Sequence, residues 1–221
     1  MIQSPDSNLK YKVYKLPLPL FSCCLDITIT SKEEASLSDK MPYYQIYHSY
    51  PLDQEQRQSI AASITNLHCK TFTTPSFFVH VHFVQEDSSA GNYILAGKPH
   101  TATSNRIIGI VRTSATRPRS AFDELGAQIE GAWYEALEIA TPVEKDEWSQ
   151  EDEQKRLMKV TFVPMITIRE GGMAIPEAGQ EGGWLKGQMP FFEEMSSKGI
   201  TDFAELLDEL KERDDLKKLL Q

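Results

Sequence analysis

The same order of elements occurs twice in this chain, and that order leaves few folds open. Residues 43–49 (YYQIYHS) are aromatic and β-branched and read as a strand. Pro51 and Asp53 then open a helix in which Ile60, Ala61, Ile64 and Leu67 recur at helical spacing, ending near Cys69. Residues 77–85 (FFVHVHFVQ) form a second strand, and 93–95 (YIL) a short hairpin strand after the turn at Gly91-Asn92. The order then repeats: a strand at 106–113, a helix from Pro118, and a strand at 157–168 that ends or bends at Pro164. The second helix carries Phe122, Leu125, Ile129, Ala132, Trp133 and Ala136 on one face. A helix joining two adjacent strands sets them parallel. The expected class is α/β (α+β): duplicated β-α-β units giving a four-stranded mixed sheet with two helices on one face.

The rest of the chain divides around this repeat. Residues 1–41 show no sustained period and read as a mostly irregular N-terminal extension. Residues 42–190 are expected to be the domain. Its stretch 141–156 is too charged and too long for an ordinary connection and reads as a solvated insertion. Residues 171–183 are rich in glycine, lack the spacing of a phosphate loop, and show no clear helix start after them. Residues 191–221 read as an amphipathic helical tail, with Phe203, Leu206, Leu207, Leu210, Leu216 and Leu220 on one face and Thr201 as its cap. Such a tail covers the core or a neighbouring subunit, or binds a partner.

Charge narrows the function classes. Acidic residues outnumber basic ones by 32 to 23, a formal charge of −9, which argues against a nucleic-acid binder. No apolar run reaches the roughly 18–20 residues of a membrane helix. Pro17, Pro19 and Asp26 interrupt the apolar stretch 16–29, which disfavours a signal peptide. Three cysteines, Cys23, Cys24 and Cys69, make no disulfide scaffold and fit a reducing compartment, so a cytoplasmic location is expected.

Chemistry-bearing residues are few. His80 and His82 alternate on one strand face as two metal ligands would, yet no third ligand is identifiable, and no metal is expected. Cys69 reads as a buried thiol. The pair Met41-Pro42 stands directly before the first strand. Inside a chain, the proline nitrogen is an amide without a basic lone pair. At a chain start it is a secondary amine, and an α-amino group, with a pKa of about 8, can serve as general base.

Two β-α-β repeats opening at Met41-Pro42 are joined by SITNLH at 63–68, AGN at 90–92, Arg112 closing the third strand, and EGGMAIPEAGQEGGW at 170–184. In this order the chain resembles the tautomerase superfamily, and within it the cis-3-chloroacrylic acid dehalogenase-like group related to 4-oxalocrotonate tautomerase. The likeness runs from Pro42 to about Trp184.

The resemblance implies Pro42 as the acid/base, His68 and Glu170 as catalytic partners, and two arginines that hold a substrate carboxylate. Arg112 matches the first arginine. The second is Arg117 or Arg119, and Arg119 is preferred because it keeps Arg-Ser-Ala before the helix. Such arginines bind a carboxylate and lower the pKa of a nearby amine. The family's tyrosine on the last strand falls on Thr161, which counts against hydratase or dehalogenase chemistry on 3-haloacrylate-like acids. The implied activity is cofactor-free tautomerisation of small unsaturated or 2-keto carboxylic acids, in a homotrimer closing around uncovered sheet. With Pro42 internal, the implied alternative is an inactive or differently active trimer of the same fold.

Overall fold

The computed structural model describes residues 42–100, 103–144 and 147–221. The expectations for residues 1–41, including Cys23 and Cys24, lie outside them. Strand β1 (Tyr43–His48) pairs in parallel with β2 (His80–Gln85) and antiparallel with β5 (Arg106–Val111), which pairs in parallel with β6 (Lys159–Pro164). The sheet order is β2-β1-β5-β6. Each parallel pair is one β-α-β unit, and the two units meet antiparallel at the centre. The four-stranded mixed sheet expected from the repeat is the one observed.

The crossover helices are α1 (Gln54–Phe72) and α2 (Arg119–Ala136). Asp53 caps α1 in a capping box with Gln56, and Pro118 precedes α2 in extended backbone. Alternation sorts the strand residues. Tyr44, Ile46, Ile107 and Val111 face the helices and are buried with Ile60, Ile64, Phe122, Leu125, Ile129 and Trp133. Gly109 shares that face, where an added Cβ would lie 2.9 Å from both Phe162 and Tyr44. The other face carries Tyr43, Gln45, Tyr47, Ile108, Ile110 and Thr161, all partly exposed.

Asn105 ties the sheet's ends together. Its Oδ1 accepts from the backbone N–H of Ser49 (3.0 Å) and of Tyr50 (3.2 Å), and its Nδ2 donates to the carbonyls of Gln154 (2.7 Å) and Arg156 (2.9 Å). A buried donor left without a partner costs about 1–3 kcal/mol, so these amides hold the side chain in one place.

Several local expectations change. The short strand near 93–95 is β3 (Ile94–Leu95), paired with β4 (Lys98–Pro99). The second strand is shorter than 77–85, because Ser76–Phe78 form a 3-10 turn. The charged stretch 141–156 is only partly solvated: α3 (Gln150–Lys155) forms there, capped by a Ser149–Asp152 box. Asp152 is buried, and the carbonyl of Lys155 accepts from the buried Trp133 indole (2.8 Å). Capping, rather than periodicity, makes that helix.

The glycine-rich run also gains structure. β7 (Arg169–Glu170) and β8 (Met173–Ala174) form a hairpin across Gly171-Gly172, both at positive φ. A helix does follow the run: α4 (Glu181–Ser197), then α5 (Thr201–Glu212) and α6 (Asp214–Leu219). Two glycines at 182 and 183 hide its start from propensity. Thr201 is the first helical residue rather than the cap, which is Ile200. The three helices close a second core around Phe78, Met173, Leu185, Phe192, Phe203 and Leu206. They dock on this chain's own 3-10 turn: the Glu209 carboxylate accepts from the Ser76 N–H (2.9 Å) and hydroxyl (2.7 Å). Among the described residues no helix is long and apolar enough to cross a membrane.

Candidate functional site

Pro42 is buried at the head of β1, in the middle of the sheet. Its carbonyl accepts from the His80 N–H at the start of β2 (3.2 Å). On its other side, the register Tyr43↔Ile110 runs on toward Val111 and Arg112 at the end of β5. The strand pattern therefore sets Pro42 beside His80 on β2 and in line with Val111 on β5, one residue before Arg112. Two groups of polar side chains are built around Arg112 and around His80.

The first group is His68, Arg112, Arg117 and Glu181. His68 sits in the last turns of α1 and shares a 2.8 Å hydrogen bond between its Nδ1 and the Tyr44 hydroxyl. Its Nε2 is buried and has no hydrogen-bond partner among the described residues. Burial first, then the charges of Arg117 and Arg112, push its pKa well below 6.5, so the ring stays neutral at physiological pH. Arg112 Nη2 and Arg117 Nη2 both donate to one oxygen, Glu181 Oε1, at 2.6 and 2.7 Å. The side chains of Arg112 and Arg117 are only 2% and 7% exposed. Arg117 also lies over the Phe72 ring at 4.7 Å, and that ring packs against His68 at 4.9 Å. Burial and the neighbouring Arg112 charge lower Arg117 to about 10.

Arg119 stands elsewhere. Its side chain is 93% exposed and lies 3.6 Å from Asp123 in the first turn of α2. Arg117 and Arg119 nevertheless line one cleft of about 470 Å³ with Thr113, Phe122, Asp123 and Thr161. The structure thus joins Arg117 to Arg112 through a shared carboxylate and leaves Arg119 at the rim.

The second group is Glu170 and His80. Glu170 Oε1 lies 2.5 Å from His80 Nε2, while its Oε2 is buried without a hydrogen-bond partner among the described residues. The bond to Glu170 raises the His80 pKa. His82, two residues on, pairs with the Tyr43 hydroxyl at 3.1 Å. Among the described residues no group of three or more His, Cys, Asp or Glu side chains is arranged to hold a metal ion.

Sequence reasoning assigned no role to Glu181, although it lies inside the quoted 170–184 run. An acid in the first turn of a helix reads as helix stabilisation. Its bonds to arginines 64 and 69 residues away have no local signature. His80 was legible as a polar residue on a sheet face, but its partner on the β7–β8 hairpin was not.

Arranged this way, the residues offer a buried cationic pair already shared with one carboxylate, a neutral imidazole, and a second carboxylate paired with a histidine. Comparison with known proteins finds several solved structures similar to this chain, of which the first below agrees with the fold. A member of the cis-3-chloroacrylic acid dehalogenase family, N1, is 23% identical, with a TM-score of 0.51 over 70% of this chain and 99% of its own. A fused 4-oxalocrotonate tautomerase solved as an asymmetric trimer is 17% identical, with a TM-score of 0.43 over 60% of this chain and 94% of its own. A probable enzyme from the thermophilic fungus Aspergillus fumigatus is 22% identical, with a TM-score of 0.43 over 64% of this chain and 88% of its own. No curated protein matches the chain. The family described as "Putative oxalocrotonate tautomerase enzyme" matches residues 41–187, about two-thirds of the sequence, and with the duplicated β-α-β sheet this makes the chain a member of that tautomerase family.

Proposed function

We propose that this protein is a cofactor-free tautomerase of small unsaturated or 2-keto carboxylic acids, active in the form whose chain opens at Pro42. The observation that carries this reading is the buried Arg112–Arg117 pair, with Arg112 directly after β5, the strand that pairs with β1 behind Pro42. A substrate carboxylate docks on the guanidiniums, which match it in charge and planar geometry. The two cations also lower the pKa of a free Pro42 amine from about 8 toward neutrality. The amine takes the proton of the 2-hydroxyl of an enol acid. The O–H bond breaks, the double bond shifts to give the 2-keto group, and the amine returns the proton to carbon. Neutral His68 offers Nε2 to the substrate oxygen. Glu170, held by His80, is the group available to orient water.

In the given sequence the Pro42 nitrogen is bonded to Met41 as an amide, so the mechanism requires that bond to be absent from the active form. The same fold then closes into a homotrimer over its open sheet face. Hydratase or dehalogenase chemistry is the weaker reading, because Thr161 has no phenol to offer in the cleft.

The test is the intact mass and amino-terminal sequence of the native protein, followed by turnover of a 2-hydroxy-2,4-dienoate. We expect a chain beginning at Pro42 and a loss of at least 100-fold in kcat in Pro42→Ala. A native chain that retains Met41, or a Pro42→Ala enzyme with full turnover, overturns the proline mechanism.

A further inference from the structure

Tyr44 lies on the helix-facing side of β1, where its side chain is wholly buried. Among the described residues its hydroxyl has one hydrogen-bond partner, His68 Nδ1 at 2.8 Å. The two rings meet edge to face with their centroids 5.8 Å apart, and the Phe72 ring packs on His68 at 4.9 Å. Two aromatic contacts and one hydrogen bond thus hold the imidazole in place, with its buried Nε2 left unpaired.

The position of the ring proton follows from a count of donors and acceptors. A tyrosine hydroxyl has one proton to donate, and each histidine nitrogen either carries a proton or accepts one. With the proton on Nε2, Nδ1 accepts from the Tyr44 O–H, and the Nε2–H is the one group left without a partner. With the proton on Nδ1, that N–H donates to the Tyr44 oxygen. The Tyr44 O–H is then a buried donor without an acceptor, and Nε2 is unpaired as well. With both nitrogens protonated the Tyr44 O–H is again stranded, and a charge is added beside Arg112 and Arg117. Stranding a buried donor is costly, so the first state is the favoured one. Tyr44 keeps its own proton, because burial holds its pKa far above the ordinary tyrosine value.

In this state Nε2 presents a proton and not a lone pair. In the proposed reaction the 2-oxygen of the enol acid gives its proton to Pro42 and gathers negative charge before the keto group forms. An N–H facing that oxygen stabilises the charge, whereas a lone pair would repel it.

We propose that Tyr44 is a positioning residue that fixes His68 as the Nε2–H tautomer, so that His68 is a hydrogen-bond donor to the substrate 2-oxygen and not a base. Tyr44 acts through His68. The use of that donor rests on the tautomerase reading above, whereas the tautomer is measurable without turnover.

The experiment begins with nuclear magnetic resonance of the full-length protein carrying isotope-labelled histidine. The chain has five histidines, and the His68 signals are those missing from His68→Gln. Wild type is expected to show a proton bonded to Nε2 and none to Nδ1. Tyr44→Phe removes the hydroxyl and keeps the ring, and should move both His68 nitrogens toward the averaged shifts of exchanging tautomers. Kinetics with a 2-hydroxy-2,4-dienoate follow in the form that opens at Pro42. Tyr44→Phe should lower kcat about tenfold with KM within about twofold of wild type. The same change made in His68→Ala should alter kcat by less than about twofold, because its effect runs through the ring. His68→Gln keeps an N–H donor but offers no base, and should retain about tenfold more kcat than His68→Ala. Each variant is checked for native circular dichroism; with Tyr44→Phe unfolded, the wild-type spectrum and the two His68 variants still decide.

A proton on Nδ1 in wild type, or wild-type His68 shifts in Tyr44→Phe, overturns the assignment. His68→Gln no more active than His68→Ala, or a Tyr44→Phe loss that persists in His68→Ala, overturns the donor role. A chain opening at Pro42 that turns over no dienoate overturns the tautomerase reading and the donor role with it, and the spectrum alone then decides whether Tyr44 sets the tautomer.

Discussion

His68 and His80 respond to their surroundings with opposite signs. His68 is buried beside two arginines, and its folded pKa lies well below 6.5. Below pH 6.5 the unfolded chain takes up a proton that the folded chain refuses, so stability falls with falling pH, by up to about 1.4 kcal/mol per pH unit for one such group. His80 gains a proton-stabilising partner in Glu170, and its folded pKa is raised. That contribution is fully present below the unfolded pKa and is lost as pH rises through the folded one. His80 is half exposed, so solvent screens the pair. Urea unfolding between pH 5 and 7.5 should show the difference. His68→Gln is expected to flatten the acid-side decline, leaving the part due to His48, whose pKa burial also lowers. His80→Gln should leave the acid-side decline steeper than in wild type. A His68→Gln curve parallel to wild type would show that its buried neutral ring does not set the acid limit.

Among the elements, α4 to α6 are the ones that the repeat did not announce. They begin inside the family match, which ends at residue 187, and run beyond it; they set Glu181 on Arg112 and Arg117 and close a second core. Their packing depends on close backbone approach: a Cβ added at Gly182 would lie 2.7 Å from the Leu219 carbonyl oxygen. Alanine normally favours a helix over glycine by about 1 kcal/mol. Here the clash with backbone, which cannot rotate away, costs about 1–3 kcal/mol and exceeds that gain. Gly182→Ala is therefore expected to lower stability and to raise amide hydrogen exchange in residues 214–219. Exchange in α6 equal to that of wild type would show that the helix does not depend on this contact.

At the level of the whole molecule, α1 and α2 cover one sheet face, and among the described residues the other face is left partly exposed. That face carries the row His80, Tyr43, Ile110 and Val163 and the row His82, Gln45, Ile108 and Thr161. Val163 is 41% exposed. Apolar sheet surface of this kind is buried when subunits associate. The proposed trimer is tested by sedimentation velocity: the wild-type protein should run as three copies. Ile110→Glu, which sets a charge in the middle of the face, should run as a folded monomer. A wild-type monomer would refute the trimer.

Periodicity made the sheet and its two helices legible, because Ile60, Ile64, Phe122, Leu125 and Trp133 repeat with the helix and Tyr44, Ile46, Ile107 and Val111 alternate with the strand. Pro42, His68 and Arg112 were singled out by the family resemblance, whose matching positions fall at the ends of these elements. Glu170 was placed by its motif. Its partner His80, the choice of Arg117 over Arg119 as the neighbour of Arg112, and the carboxylate of Glu181 were not legible. Each depends on side chains brought together from distant segments, and no local spacing encodes a contact across 64 to 90 residues. Local order follows from short-range sterics and burial, which the amino-acid pattern carries. The charge balance of the site follows from long-range packing, which comes into being when the chain closes on itself.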